Sequence, residues 1–204
     1  RCVVSNLNPK LLYLQLIHES ALDAEFVQRI RNFKCGSATF RMNVALSELP
    51  DFACLPGGVA QDHHQSGIII APSLRYLEQA YFDARTYGCS RAPVIEILIP
   101  STVDATLAPP GQHVASLFCQ HFSPELPEAL SWDEIKEPAA DLVIDTVNRY
   151  APNFKASVLG RMVLSPLDLE RKFGLTGGDI FHGALTLDQL YSARPVLGYA
   201  DYRG

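Results

Sequence analysis

The chain has 204 residues, with Lys and Arg at 17 against Asp and Glu at 22, giving a formal net charge of -5 and an isoelectric point near 5.6. That balance excludes a protein built to grip nucleic acid, because phosphate binding needs a basic face. A hydrophobic content of 48% beside 19% charged residues excludes disordered and fibrous classes and supports one sizeable core, so the chain reads as a single domain.

In chain order, Cys2-Val3-Val4 predicts a short strand, and Asn8-Pro9 supplies an N-cap and a first-turn proline for a helix over 10–17. Asp23 caps a second helix over 24–33. Residues 39–46 alternate, with Phe40, Met42, Val44 and Leu46 on one face and Thr39, Arg41, Asn43 and Ala45 on the other, which predicts a half-buried strand. The Pro- and Gly-rich stretch 49–65 reads as a long surface loop, and 67–71 as a short buried strand. Ser73 opens a helix to Tyr87 with Leu74, Leu77, Tyr81 and Ala84 on its apolar stripe, and Gly88 stops it. Residues 93–99 are almost continuously apolar, as a central strand is, and 113–122 form the next strand.

Ser131 followed by Glu134 is a capping box opening a helix that Pro138 restarts or kinks and that stops at Ala151-Pro152. A strand over 157–164 and a short helix over 167–173, closed by Gly174, come next. Thr186 and Gln189 form a second capping box, whose helix ends near Arg194 because Pro195 disfavours helical geometry in the residue before it. The sum is an α+β fold: a mixed, largely antiparallel sheet of about five strands with helices mainly on one side.

Self-contained catalytic signatures are absent: there is no G-x-S-x-G, no phosphate-binding G-x-x-x-x-G-K-[ST], no H-E-x-x-H and no G-x-G-x-x-G. His63 and His64 beside Asp62 resemble a metal cluster, but adjacent side chains diverge and the pair reads as solvated surface; no metal site is expected. His113 and His121 share strand parity yet stand roughly 26 Å apart. The five cysteines, Cys2, Cys35, Cys54, Cys89 and Cys119, are odd in number and form no C-x-x-C, which suits reduced thiols in a cytoplasm-like compartment, or a mitochondrial matrix for a eukaryotic parent. No apolar run reaches the ~18 residues a membrane span requires. The start at Arg1 and the stop at Gly204 read as cuts from a longer chain.

The informative stretch runs from Gly174 to Pro195, where glycines flank His182 and let backbone approach a ligand closely. Its pattern G-G-D-x-x-H-G-x-L-x-x-x-Q-L-x-x-x-R-P joins Tyr150-Ala151-Pro152-Asn153-Phe154, Ser165-Pro166-Leu167-Asp168-Leu169-Glu170 and Phe40-Arg41-Met42-Asn43-Val44-Ala45-Leu46. Together these motifs resemble the phytoene desaturase-like FAD-dependent oxidoreductases over essentially the whole chain.

The resemblance implies a flavoprotein in which a substrate domain, similar to that of amine oxidases, is inserted between segments of an FAD-binding domain. The glycine fingerprint for the pyrophosphate and the second glycine-rich segment after the R-P element are both missing here. The chain is therefore expected to be the substrate domain alone, over 1–204, with 1–8 and 196–204 as stubs leading to an absent FAD-binding domain. The parent would pass a hydride from a small apolar or mixed organic substrate to FAD; this chain alone would bind no FAD and be inactive. His182 is the expected catalytic residue, and Gly177, Gly178, Gly183 and Arg194 the expected flavin-facing set. Some of Phe40, Met42, Ile95, Ile97, Phe118 and Phe122 would line the substrate cavity, and an exposed docking face would favour self-association. The alternative is a non-catalytic interaction or dimerisation module that keeps the flavoprotein fold. A hydrolase or metal enzyme built on His63 and His64 is a third reading.

Overall fold

The side chain of Asn8 starts the first helix of the computed structural model, which describes residues 3–36, 38–127 and 130–202. Its Oδ1 accepts from the Lys10 amide at 2.8 Å, and α1 (Pro9–Leu11) passes into a π-helical turn, Leu12–Leu16. In α2 (Ala24–Arg31), Asp23 Oδ1 accepts from the Phe26 amide at 2.9 Å, and Phe26, Val27 and Ile30 are buried. There follow β1 (Phe40–Leu46), β2 (Ile68–Ile70), α3 (Leu74–Tyr87), β3 (Cys89–Leu98), β4 (His113–Phe122), α4 (Trp132–Asn148), α5 (Phe154–Ser157), β5 (Val158–Leu164) and α6 (Pro166–Phe173). These elements form two compact units: Arg1–Ala38 with Pro166–Gly204, and Thr39–Ser165. Both lie within the span expected as one substrate-binding domain. Of the strand expected at the N-terminus, Cys2 lies outside the described residues, and Val3 and Val4 are exposed without regular structure.

The unit Thr39–Ser165 is a five-stranded sheet in the order β2-β3-β4-β1-β5, antiparallel at every junction. The α+β expectation holds, with antiparallel pairing throughout. Register follows from alternation, since a slip by one residue would turn each apolar side chain to the wrong face. Met42 sits opposite Leu117 on one side and Val163 on the other. Phe40, Met42, Val44 and Leu46 are buried, together with Ile95, Ile97, Ala115, Leu117 and Cys119. Helix α4 adds Trp132, Ala140, Val143 and Val147; Phe40 stacks on Phe122 at 4.9 Å, with the Trp132 ring 6.0 Å away. Ser131 caps α4 by accepting from the Asp133 amide at 3.2 Å. The helix runs through Pro138 without a break. One lost backbone bond is outweighed by the apolar face that Ala139, Ala140 and Val143 bury just beyond it.

Helix α3 departs from its expected face. Ser73 Oγ accepts from the Tyr76 amide at 3.1 Å, and Gly88 ends the helix at φ 83°, both as read from sequence. The buried positions, however, are Ala80, Asp83 and Ala84, while Leu74, Leu77 and Tyr81 are exposed. Small alanines admit close approach to β3, and Asp83 receives both Arg91 Nη2, at 2.9 Å, and Arg91 Nε, at 3.1 Å.

Among the described residues of this unit, the helices cover one face of the sheet. On the other, cross-strand neighbours run Ile69, Glu96, Phe118, Arg41 and Leu164, and in the next row Leu98, Ser116, Asn43 and Met162. Ile69, Leu98 and Met162 are each more than half exposed. Of the residues expected to line a substrate cavity, Phe40, Met42, Ile95, Ile97 and Phe122 are therefore core, and Phe118 alone faces the open side. Its strand parity is opposite to that of Leu117 and Cys119; Phe122 shares that parity but is buried because the alternation breaks after Cys119.

Candidate functional site

The residues singled out by sequence belong to the unit built from Arg1–Ala38 and Pro166–Gly204. Helix α6 closes at Gly174, φ 68°, whose amide donates to Glu170 O at 2.8 Å. A turn over Thr176–Gly178 follows, with Gly177 at φ 63° and Gly178 at φ 66°. A Cβ on Gly178 would lie 2.5 Å from Pro166 O, so the glycine lets this turn press against the start of α6.

Asp179 then ties the segment to the chain after α2. Its Oδ2 accepts from the Gly36 amide and its Oδ1 from the Phe181 amide, both at 2.9 Å, and the residue pairs with Ala38 in an antiparallel bridge. His182 follows at φ 57°, then Gly183 at φ 139°. A Cβ on Gly183 would stand 2.2 Å from the Phe33 ring, so the backbone lies flat against that phenyl group. Arg194 closes the loop: its Nη2 donates to Phe181 O at 2.7 Å and to His182 O at 3.0 Å, and its guanidinium lies 5.7 Å from the centre of the Phe33 ring. The structure thus brings together His182, Gly183 and Arg194, with Gly177 and Gly178 one turn earlier.

The helix expected after Thr186 is not formed. Two three-residue turns, Leu187–Gln189 and Tyr191–Ala193, take its place, separated by Leu190 in an extended conformation. Gln189 does not return to Thr186 as a capping partner. Its buried carboxamide accepts from the Lys34 amide at 2.7 Å and donates to Lys34 O at 3.0 Å and Ala184 O at 3.1 Å. Lys34 Nζ also meets Asp188 Oδ2 at 2.7 Å. This end-on pairing of a side-chain amide with a main-chain peptide satisfies groups that a helix would have left to water.

Asp179, Gln189 and Phe33 are the residues that sequence reasoning left without these roles. The D and Q were visible in the pattern; their partners 143 and 155 residues away in the chain were not. Cys35 also belongs here: its sulfur accepts from Asn8 Nδ2 at 3.3 Å, and burial pushes its thiol pKa up, opposed by that hydrogen bond. The segment expected as an exit stub folds onto α2 as far as it is described. Tyr202 stacks on Phe26 at 4.1 Å and accepts from the Asp23 amide at 3.0 Å, and Tyr199 lies 5.1 Å from the same ring.

His64, expected as solvated surface, is buried instead. Its Nδ1 accepts from the Gln61 amide at 3.1 Å, and its Nε2 pairs with Pro50 O at 2.9 Å. With both ring nitrogens spent on backbone, His64 ties the 49–65 loop and is not a free ligand beside His63.

A flavin dinucleotide needs a pyrophosphate cradle, typically backbone amides at a helix N-terminus. The turns beside Gly177, Gly178 and Gly183 are not followed by such a helix, and the space next to Gly178 and Gly183 is filled by Pro166 and Phe33. The described residues do not fit that role. What the segment does carry is unmet polarity: among the described residues, the buried His182 Nδ1 and Arg194 Nη1 have no hydrogen-bond partner. Exposed apolar groups accompany them, namely Phe181, Leu185, Leu187 and Tyr191, the last two 93% exposed.

No family model matches the chain. It is 46% identical over 208 aligned residues to pyridine nucleotide-disulfide oxidoreductase domain-containing protein 2 of Rattus norvegicus. The Mus musculus protein of the same name is 45% identical over the same length. Each alignment takes in 100% of this chain and 36% of the relative, so the chain spans about a third of the curated relatives it matches. The name of both relatives refers to an oxidoreductase domain. Among the described residues, no helix is long and apolar enough to cross a membrane.

Proposed function

We propose that this chain is the substrate-binding part of an FAD-dependent oxidoreductase of the phytoene desaturase-like kind. The observation that carries the reading is the one-sided sheet. A sheet whose second face carries Phe118, Leu98, Ile69 and Met162 in the same two rows as Arg41, Glu96 and Asn43 is suited to form one wall of a site for an apolar or mixed organic molecule. Arg41 lies 5.2 Å from the centre of the Phe118 ring and donates to Ser116 Oγ at 3.3 Å, which leaves further guanidinium donors to orient a polar end of that molecule. The relatives' name and their greater length support a parent with an oxidoreductase activity and further residues.

FAD, held by residues outside this chain, would supply the acceptor for a hydride leaving the substrate. This chain's share is to bind the substrate, orient it and exclude water. As a separate proposal for the other unit, the segment 177–194 would face the flavin without holding its pyrophosphate: among the described residues His182 Nδ1 and Arg194 Nη1 have no hydrogen-bond partner, and Gly177, Gly178 and Gly183 shape the loop that carries them. An imidazole can hold or pass a proton near neutral pH.

The test is flavin retention. The full-length parent should purify with near-stoichiometric flavin absorbance, whereas residues 1–204 alone should remain colourless with added FAD. In the parent, His182→Ala should lower turnover by roughly 10- to 100-fold with little change in unfolding midpoint. A parent without flavin would overturn the reading in favour of a non-catalytic interaction module.

A further inference from the structure

The outward face of α3 is apolar, charged in a self-complementary order, and uncovered. Leu74, Glu78, Tyr81 and Arg85 fall at i, i+4, i+7 and i+11, one line along the helix opposite its buried residues Ala80 and Ala84. Leu77 and Phe82 flank that line. Leu74 is 83% exposed, Phe82 54% and Tyr81 47%, a run of large apolar groups that a solvated helix face does not normally carry. Among the described residues neither Glu78 nor Arg85 has an ion-pair partner.

We propose that this face pairs with the same face of a second copy of the chain, the two α3 helices running antiparallel across a two-fold axis. An isologous contact requires a surface to be complementary to itself. With the axis between Tyr81 and Phe82, each residue meets the one whose number completes the same sum. Glu78 then lies opposite the second copy's Arg85, twice by symmetry, with Tyr81 and Phe82 beside the axis on its two flanks. Shifting the axis to bring Arg75 opposite Arg85 would place like charges together, and pairing Arg75 with Glu78 would leave Phe82 and Arg85 outside the contact, so the central register covers more of the apolar face. The aromatic pair forms the centre and the two ion pairs the rim, the usual anatomy of a small interface. A helix of 14 residues extends about 21 Å, which places the contact at the low end of stable interface sizes.

The experiment is a charge-swap series on the full chain, followed by analytical ultracentrifugation from about 1 to 100 µM, a range that resolves micromolar dissociation constants. Wild type should show a monomer–dimer equilibrium. Glu78→Arg alone and Arg85→Glu alone should each weaken it at least about tenfold, because each creates two like-charge contacts. Mixing the two variants should restore dimers, now hetero-dimers with both pairs opposite in charge. Both positions are exposed, and matching circular dichroism spectra would show that the variants are folded. A strict monomer across the range overturns the proposal. So does a dimer indifferent to the swaps, or a failure of the mixture to reassociate. Binding of the wild-type chain to neutral phospholipid vesicles, abolished by Leu74→Ser and Phe82→Ser with no dimer in solution, would assign the face to a membrane surface and overturn it too.

Discussion

Gly183 shows how one atom can be excluded by its surroundings. With φ at 139° and the Phe33 ring 2.2 Å from where a Cβ would stand, Gly183→Ala must displace an aromatic side chain that also lies beneath Arg194. The expected loss is roughly 2–4 kcal/mol, from overpacking together with a backbone conformation that L-residues resist. Gly111 provides the control: it sits at φ 79° with no atom within 4 Å of its missing Cβ, so Gly111→Ala should cost only about 1 kcal/mol. Urea unfolding of both variants decides the point, and equal losses would show that Phe33 yields freely. Asp179 and Gln189 act on the same loop by a different means. Each fixes backbone amides that no regular element satisfies, so the loop's shape depends on side chains contributed from within it.

At the scale of elements, α3 is fastened to β3 by one buried carboxylate. The Arg91 guanidinium hydrogen-bonded to Asp83 holds that carboxyl below its ordinary pKa of 3.8, aided by Gln79 and by the Arg91 amide. A group depressed in the folded state contributes stability that is fully present above the unfolded pKa and is lost as pH falls through the folded one. The wild-type chain should therefore lose unfolding free energy as pH falls below the ordinary carboxylate value of 3.8, and Asp83→Asn should flatten that slope while lowering stability at neutral pH. Thermal unfolding across that range measures both, and an unchanged slope would remove Asp83 from the account.

The elements were legible where signal and structure are local. Alternation located β1, the 113–122 run located β4 to the residue, and Ser73 with Gly88 bounded α3. Three readings failed because long-range partners decided them. The face of α3 is set by Ala80 and Ala84 against β3, the Thr186 helix is displaced by Gln189 reaching Lys34, and His64 is buried by Pro50. Of the candidate site, the loop and its glycines were readable. Which glycines are filled by Phe33 and Pro166, and which nitrogens remain unpaired, depends on contacts that no spacing encodes.

For the whole molecule, the division into units has a consequence in time. The unit Thr39–Ser165 is continuous in sequence, while the other is assembled from both ends of the chain. A ribosome delivers residues vectorially at about 5–20 per second, and contiguous units fold as they emerge. The sheet can consequently mature while α2 and the Lys34 peptide wait for Gln189, 155 positions downstream, to leave the exit tunnel. During that interval Phe26, Val27 and Ile30 have none of their C-terminal cover, and the nascent chain is most open to chaperones and proteases there. Nascent chains arrested once Ser165 but not Gln189 has left the exit tunnel should show a protease-resistant sheet and a rapidly cleaved N-terminal segment, and longer chains that expose Gln189 should silence that cleavage.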